Sequence, residues 1–236
     1  QAMTKILILG GGGMVGQKLA NHLLASGLPG HKALDITLFD MAFPLKQDGR
    51  LRYITGSLTD AQNITMLAQL RPNIVFHLAS IVSGEAESNF DAGWQVNMFT
   101  MWHYLEALKA LHIGSNGAYV PKIIFTSSIA VFGGPFPEQI DDTFLSAPQT
   151  SYGAQKASCE LLLSDFSRKG FVDGISLRLP TICVRPGKAN LAASSFFSGI
   201  IREPLNGQKA ILPVDESVRH WHASPRAAAE FLRHAA

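Results

Sequence analysis

Lys5-Ile6-Leu7-Ile8-Leu9-Gly10-Gly11-Gly12-Gly13-Met14-Val15-Gly16 decides the fold of this chain. The first five residues form a short apolar run, the pattern of a strand buried on both faces. The glycines follow at once, and from Val15 the apolar spacing becomes helical, with Val15, Leu19 and Leu23 on one face and Gly27 as the stop. Strand, glycine turn and helix start in that order make an anion site, because backbone N–H groups and the positive end of the helix dipole face the turn. The glycines read as Gly10-x-x-Gly13-x-x-Gly16, and Gly11-x-Gly13-x-x-Gly16 also satisfies the dinucleotide fingerprint.

Working outward, a second strand, Ile36-Thr37-Leu38-Phe39, ends in Asp40. An acid at that point accepts both hydroxyls of an adenosine ribose and repels a 2′-phosphate, so NAD is expected over NADP. Met41-Ala42 follow, with no basic residue to welcome a phosphate. Apolar runs and helical segments then alternate. Strands are predicted at 52–55, 74–78, 122–126 and 174–179, and helices from the Thr59-Asp60 caps to Leu70, from Trp94 to Leu111 and from Tyr152 to Lys169. This alternation predicts an α/β fold, a Rossmann-like doubly wound parallel sheet with ligands at the carboxyl ends of its strands. Beyond Pro180 the prolines at 180, 186, 204 and 213 break the rhythm. Residues 1–180 are read as the NAD-binding domain and 181–236 as a small substrate-binding lid, with further chain expected after Ala236. Within the lid, helices are predicted over Ser194–Glu203 and from Ser224-Pro225, where Ser224 caps and Pro225 sits in the first turn.

Composition narrows the class. The 236 residues are 47% hydrophobic and 16% charged, too apolar for disorder. Net charge is +2 with basic residues scattered, so there is no electrostatic case for nucleic acid. No apolar stretch approaches the ~20 residues of a membrane span. The direct entry into a strand argues against a signal peptide, and a cytoplasmic location is expected. Cys159, Cys183 and the eight histidines show no metal-ligand spacing; buried reduced thiols are expected and no metal is.

Tyr152 and Lys156 bring in chemistry. Four residues apart on a helix, they share one face. A lysine charge about 5 Å from a phenol at an effective dielectric near 20 favours the phenolate by roughly 3 kcal/mol. Such a pair can make a general base, although Tyr-x-x-x-Lys alone also describes two solvated side chains.

Taken with His77-Leu78-Ala79, Val96-Asn97, Thr126-Ser127-Ser128-Ile129-Ala130-Val131-Phe132-Gly133 and Tyr152-Gly-Ala-Gln-Lys156, the chain resembles the extended short-chain dehydrogenases/reductases, which include nucleotide-sugar epimerases and dehydratases. The resemblance spans nearly the whole chain. It implies Tyr152 as general acid/base, and Lys156 as the residue holding the nicotinamide ribose and assisting Tyr152. Ser128, rather than Ser127, would orient the reacting oxygen, and Asn97 would support the proton-relay side. The cofactor contacts it implies are Gly10, Gly13, Met14, Val15, Gly16, Asp40, Ser57, Leu58, Leu78, Ala79 and Pro180, besides Tyr152 and Lys156. Two departures stand out. Gly56-Ser57 replaces a common Gly-Asp near adenine, and Thr100-Met101 stands after Asn97 where Gly-Thr is common, which puts the local helix geometry in question.

Stretches 81–87, 178–187 and 219–225 look like a subgroup that oxidises a D-erythronate-like four-carbon sugar acid at carbon 2 with NAD. A sugar acid needs a cation for its carboxylate, and Arg185, Arg202 and Arg219 lie in the lid, with Ser83 as a further substrate contact. Arginine suits a diphosphate equally, so a nucleoside-diphosphate-sugar epimerase/dehydratase is the rival enzyme. A non-catalytic dinucleotide-binding regulatory protein is the rival of another class. Expected partners are a small-molecule substrate, sugar acid or nucleotide sugar, and a second copy of the chain as a homodimer.

Overall fold

The computed structural model describes residues 3–236. Six strands, β1 (Thr4–Leu9), β2 (Leu34–Asp40), β3 (Arg52–Thr55), β4 (Ile74–His77), β5 (Lys122–Ser128) and β6 (Asp173–Leu179), form one sheet in the order β3-β2-β1-β4-β5-β6. Every pairing in it is parallel, with Ile8 registering on Leu38 and on Phe76. The chain reverses direction across the sheet between β1 and β4, which opens a crevice at their carboxyl ends.

Both faces of the sheet are covered, as continuous apolar strands require. On one face α2 (Ala61–Gln69), α5 (Thr100–Gly114) and α6 (Ser151–Arg168) bury Leu67, Leu105, Leu108 and Leu163 against Leu7, Val75 and Ile123. On the other, α1 (Met14–Ser26) buries Leu19 and Leu23 against Ile6, Ile8 and Phe76. Side-chain caps start the helices: Asp60 accepts from Gln62 N–H at the head of α2, and Thr150 from Gly153 N–H at the head of α6.

The single helix expected over 94–111 is broken. Two short helices, α3 (Ser83–Ser88) and α4 (Phe90–Trp94), lead into a π-helical turn at Gln95–Phe99 before α5 begins. The widened turn carries Asn97, whose buried side chain is committed to backbone groups outside the helix. A π turn inserts an extra residue where a side chain must be re-aimed, and such turns gather at functional sites.

Beyond β6 come β7 (Thr181–Ile182), α7 (Ser195–Leu205), β8 (His222–Ala223) and α8 (Pro225–Ala235). The two short strands pair with each other in a separate two-stranded sheet. The helix expected from Ser224 forms, with Ser224 Oγ accepting from Ala227 N–H at 3.0 Å. It does not join the lid elements. Ala229 and Leu232 pack into the same core as Leu19 and Leu23, and Arg233 Nε donates to Gly27 O at 2.7 Å, closing the end of α1. An alanine-rich face can lie close to a neighbouring helix, so α8 returns to the helix layer of the large sheet.

Candidate active site

The carboxyl ends of β1, β4, β5 and β6 line a cleft of about 310 Å³. Its floor at one end is the glycine turn: Gly10, Gly13, Met14, Val15 and Gly16 face it, with Leu78 from the end of β4. Gly10 has a positive φ of 85°, and a Cβ there would sit 2.7 Å from Ala79 N. A Cβ at Gly16 would sit 2.4 Å from Gly10 O. The turn is therefore packed to backbone contact, and its amides are presented at the start of α1, where a diphosphate is favoured. These residues fit a dinucleotide.

Asp40 ends β2 beside this turn. Its Oδ2 accepts from Gly12 N–H at 2.9 Å and its Oδ1 from Met41 N–H at 2.7 Å. The carboxylate thus holds the turn in shape, and each oxygen keeps a lone pair for a further donor. Ser57 shares a 2.8 Å hydrogen bond with Thr59, and Leu58 is buried in the core. Ser57, Leu58 and Asp40 lie outside the lining of the main cleft, as does Ala79, which abuts Gly10.

At the other end the helix α6 brings Tyr152 and Lys156 to the cleft with Ser128, Ser127 and Thr126 from β5. Lys156 is only 2% exposed; its Nζ donates to Thr126 O at 2.7 Å and lies 5.5 Å from the Tyr152 ring centroid. The two serines are separated by their partners. Ser127 Oγ donates to Glu160, itself held by Arg178 at 2.8 Å. Ser128 Oγ accepts from Ala130 N–H at 3.1 Å, which leaves its own proton to donate into the cleft.

Asn97 does not line the cleft. Its Oδ1 accepts from Ile81 N–H at 2.8 Å, and its Nδ2 donates to Gln155 Oε1 at 2.8 Å. It ties the loop after β4 to α6 one residue before Lys156. Gln155 and Thr126 were not singled out from the sequence. The signal for Gln155 was there, since it stands inside the Tyr152-to-Lys156 motif. Thr126 acts through its main-chain oxygen, which no residue type betrays.

The three lid arginines part company. Arg185 lines the cleft. Arg202 is ion-paired with Glu203 and donates to Arg185 O at 2.7 Å, which makes it a brace between α7 and the segment after β7. Arg219 is exposed and outside the lining. The structure thus does not bring the three together. Ser83 and Pro180 do line the cleft.

Cys159 is a buried thiol pushed up to about 12, chiefly by burial, and it donates to Asn97 O. Such a thiol is inert at neutral pH. Cys183 is half-buried and lies 3.3 Å from His222 Nδ1, so the expectation of burial holds for Cys159 alone. Among the described residues no group of three or more His, Cys, Asp or Glu is placed to hold a metal, and no helix is long and apolar enough to cross a membrane.

His77 lies under the site, packed edge-on against Phe125, and neither ring nitrogen has a hydrogen-bond partner among the described residues. Burial, and secondly the charge of Lys156, push it down to about 3 from 6.5. Between those two values the unfolded chain binds the extra proton, so stability is full above the upper one and falls as pH drops, by about 1.4 kcal/mol per unit. The expected result is a thermal midpoint that declines from about pH 7.5 to about pH 5 in the wild type. His77→Leu should flatten that decline in a melting series over the same range.

A parallel doubly wound sheet with a glycine turn, and a Tyr–Lys pair beside a serine at its carboxyl edge, defines a dinucleotide-dependent enzyme. The chain belongs to the NAD dependent epimerase/dehydratase family, whose model matches residues 6–224. It is 47% identical over 233 residues to D-erythronate dehydrogenase of Cupriavidus necator, a match covering 96% of this chain and 70% of that protein. The D-erythronate dehydrogenase of Haemophilus influenzae is 44% identical, with 98% of this chain and 71% of that protein covered. Among solved structures, a nucleoside-diphosphate-sugar epimerase from Agrobacterium tumefaciens superposes with a TM-score of 0.90 at 51% identity. That superposition covers 99% of this chain and 69% of the other. The chain is thus an NAD-dependent enzyme of the extended short-chain type, and the expectations of fold class, family and cofactor hold.

Proposed function

We propose that this protein oxidises the carbon-2 hydroxyl of D-erythronate or a close four-carbon sugar acid, yielding the 2-keto acid. The observation that carries the reading is the similarity to two D-erythronate dehydrogenases, supported by a cleft whose lining includes Arg185 as well as Tyr152, Ser128 and Lys156. NAD, when bound, supplies the hydride acceptor. Tyr152 takes the hydroxyl proton as the carbon–hydrogen bond breaks, so one hydride and one proton leave the substrate. Ser128 donates a hydrogen bond to the reacting oxygen and steadies its charge. Lys156 would hold the nicotinamide ribose, with its ammonium 5.5 Å from the Tyr152 ring centroid, while Asn97 positions α6 through Gln155. Arg185 receives the substrate carboxylate. Residues 181–223 act as the lid.

A second reading, a nucleoside-diphosphate-sugar epimerase, is favoured by the superposition on the Agrobacterium structure. An epimerase returns the hydride, so the two differ in net NADH. A panel of four- to six-carbon sugar acids and UDP-sugars, read by NADH absorbance and product analysis, separates them. Net NADH with D-erythronate supports the dehydrogenase; an epimerised sugar without NADH overturns it. The cytoplasm is the compartment this reading expects, with two reduced thiols in keeping, and a homodimer its expected assembly.

Asp40 is assigned to the adenosine ribose. Asp40→Ala should narrow the preference for NADH over NADPH, measured as the ratio of dissociation constants, since both an acceptor and a repulsive charge are lost. It should also weaken NADH itself, because the Gly12 amide loses its partner. Equal affinity of the wild type for the two cofactors would remove Asp40 from this role.

A further inference from the structure

Along one wall of the cleft a latch joins two segments more than a hundred residues apart in the chain. Ala193 N–H donates to Ser83 Oγ at 2.9 Å, a pair separated by 110 positions. One residue further along α3, Gly84 N–H donates to Leu191 O at 3.0 Å. The second contact has no slack: a Cβ on Gly84 would lie 2.0 Å from Leu191 O. Both segments contribute to the cleft wall, Val82 and Ser83 on one side, Ala192 and Ser194 on the other.

Charge in this cleft has one sign. Lys156 and Arg185 are its charged lining residues, and no Asp or Glu is among them. Arg185 is anchored by its backbone, its N–H donating to Ser198 Oγ at 2.9 Å and its carbonyl accepting from Arg202. Arg202 takes Glu203 for itself, so the Arg185 guanidinium has no ion-pair partner among the described residues. A cation held by its backbone in a wall of hydroxyl groups suits a carboxylate flanked by alcohols.

We infer that the latch joining Ser83–Gly84 to Leu191–Ala193 is the specificity-determining element of this site, holding the cleft to the length of a four-carbon hydroxy acid seated on Arg185 and shutting out longer acids and nucleotide sugars. This rests on the oxidoreductase reading above and adds to it what sets substrate length. The physical reason is volume: about 310 Å³ must take both the nicotinamide half of the cofactor and the substrate, and the latch holds two of the segments that line it, at Val82 and Ser83 and at Ala192 and Ser194, against each other. A wrong substrate then either fails to enter or breaks the latch and leaves its amides unpaired.

The test compares wild type, Ser83→Ala and Gly84→Ala, each loaded with cofactor. The readout is the ratio of kcat/KM for D-erythronate to that for the six-carbon D-gluconate. Gly84→Ala, which forces Leu191 away, should lower this ratio at least tenfold, and Ser83→Ala, which deletes one hydrogen bond, should lower it severalfold. NADH affinity should stay within about twofold in a correctly folded variant; if Gly84→Ala fails to fold, Ser83→Ala carries the test. A ratio unchanged in the folded variants, or wild-type binding of UDP-glucose as tight as that of D-erythronate, would overturn the inference. Should no four-carbon acid yield NADH, the proposed oxidation fails, and the latch is then judged separately. In that case the same acids are titrated into the NADH-loaded proteins by nicotinamide fluorescence, with loss of length discrimination in the variants as the supporting result and its persistence as the opposing one.

Discussion

Tyr152→Phe should reduce turnover by roughly two to four orders of magnitude, the usual weight of a positioned general base. The substitution deletes a single hydroxyl and keeps the ring, whose centroid lies 5.5 Å from the Lys156 ammonium. The melting temperature and NADH dissociation constant should therefore stay near wild type, and steady-state NADH production should show the loss in kcat. No histidine stands ready as a substitute. His77 lies beneath the site, and burial keeps it neutral and without access to the cleft, while His220 is engaged with Thr181 Oγ1 at 2.7 Å and is not among the cleft-lining residues. Near-full activity in Tyr152→Phe would remove Tyr152 from the mechanism and would demand a base from residues that make no such arrangement.

Lys156→Met has the second large effect, and it divides differently. Lys156 is buried, with its ammonium held by Thr126 O and against the Phe125 ring at 4.8 Å. Burying a charge is costly, and methionine matches the stem's shape without that cost, so the variant's melting temperature should hold or rise. Turnover should fall because the positive charge beside Tyr152 is lost, and NADH affinity should fall because the ribose loses its donor. A purely structural lysine would show the reverse pattern: a lower melting temperature with kcat, KM and NADH affinity unmoved.

The glycine turn and the Tyr–Lys pair were legible from residues 5–16 and 152–156 alone, and the parallel sheet from the alternation of apolar runs with helical segments. Each of these is a local pattern. A run such as Lys5–Leu9 must be buried on both faces, a glycine turn must follow it for backbone to approach backbone, and residues four apart must share a helical face. The long helix expected from Trp94 was misread because the side-chain bonds of Asn97 to Ile81 and Gln155 join partners up to 58 positions apart. Helical periodicity carries no trace of a π turn imposed by such a distant clamp. The last helix was placed in the lid on the evidence of prolines before it, whereas its alanine face finds α1, some two hundred residues earlier in the chain.

The three lid arginines show the same division most sharply. As residue types, Arg185, Arg202 and Arg219 are equal candidates for a carboxylate. Only packing tells them apart: a neighbouring Glu203 takes Arg202, an exposed loop carries Arg219, and Arg185 is left facing the cleft. Likewise Ser127 and Ser128 are adjacent hydroxyls on one strand, and successive side chains of a strand point to opposite faces. Ser127 turns to the Glu160–Arg178 pair and Ser128 keeps its proton for the cleft. The sequence by itself determined the fold, the cofactor class and the placing of Tyr152 and Lys156 on one helical face, because these follow from short-range periodicity and spacing. Which charged and hydroxyl groups remain available to a substrate only the tertiary structure decided, because availability depends on partners that the chain brings together from remote positions.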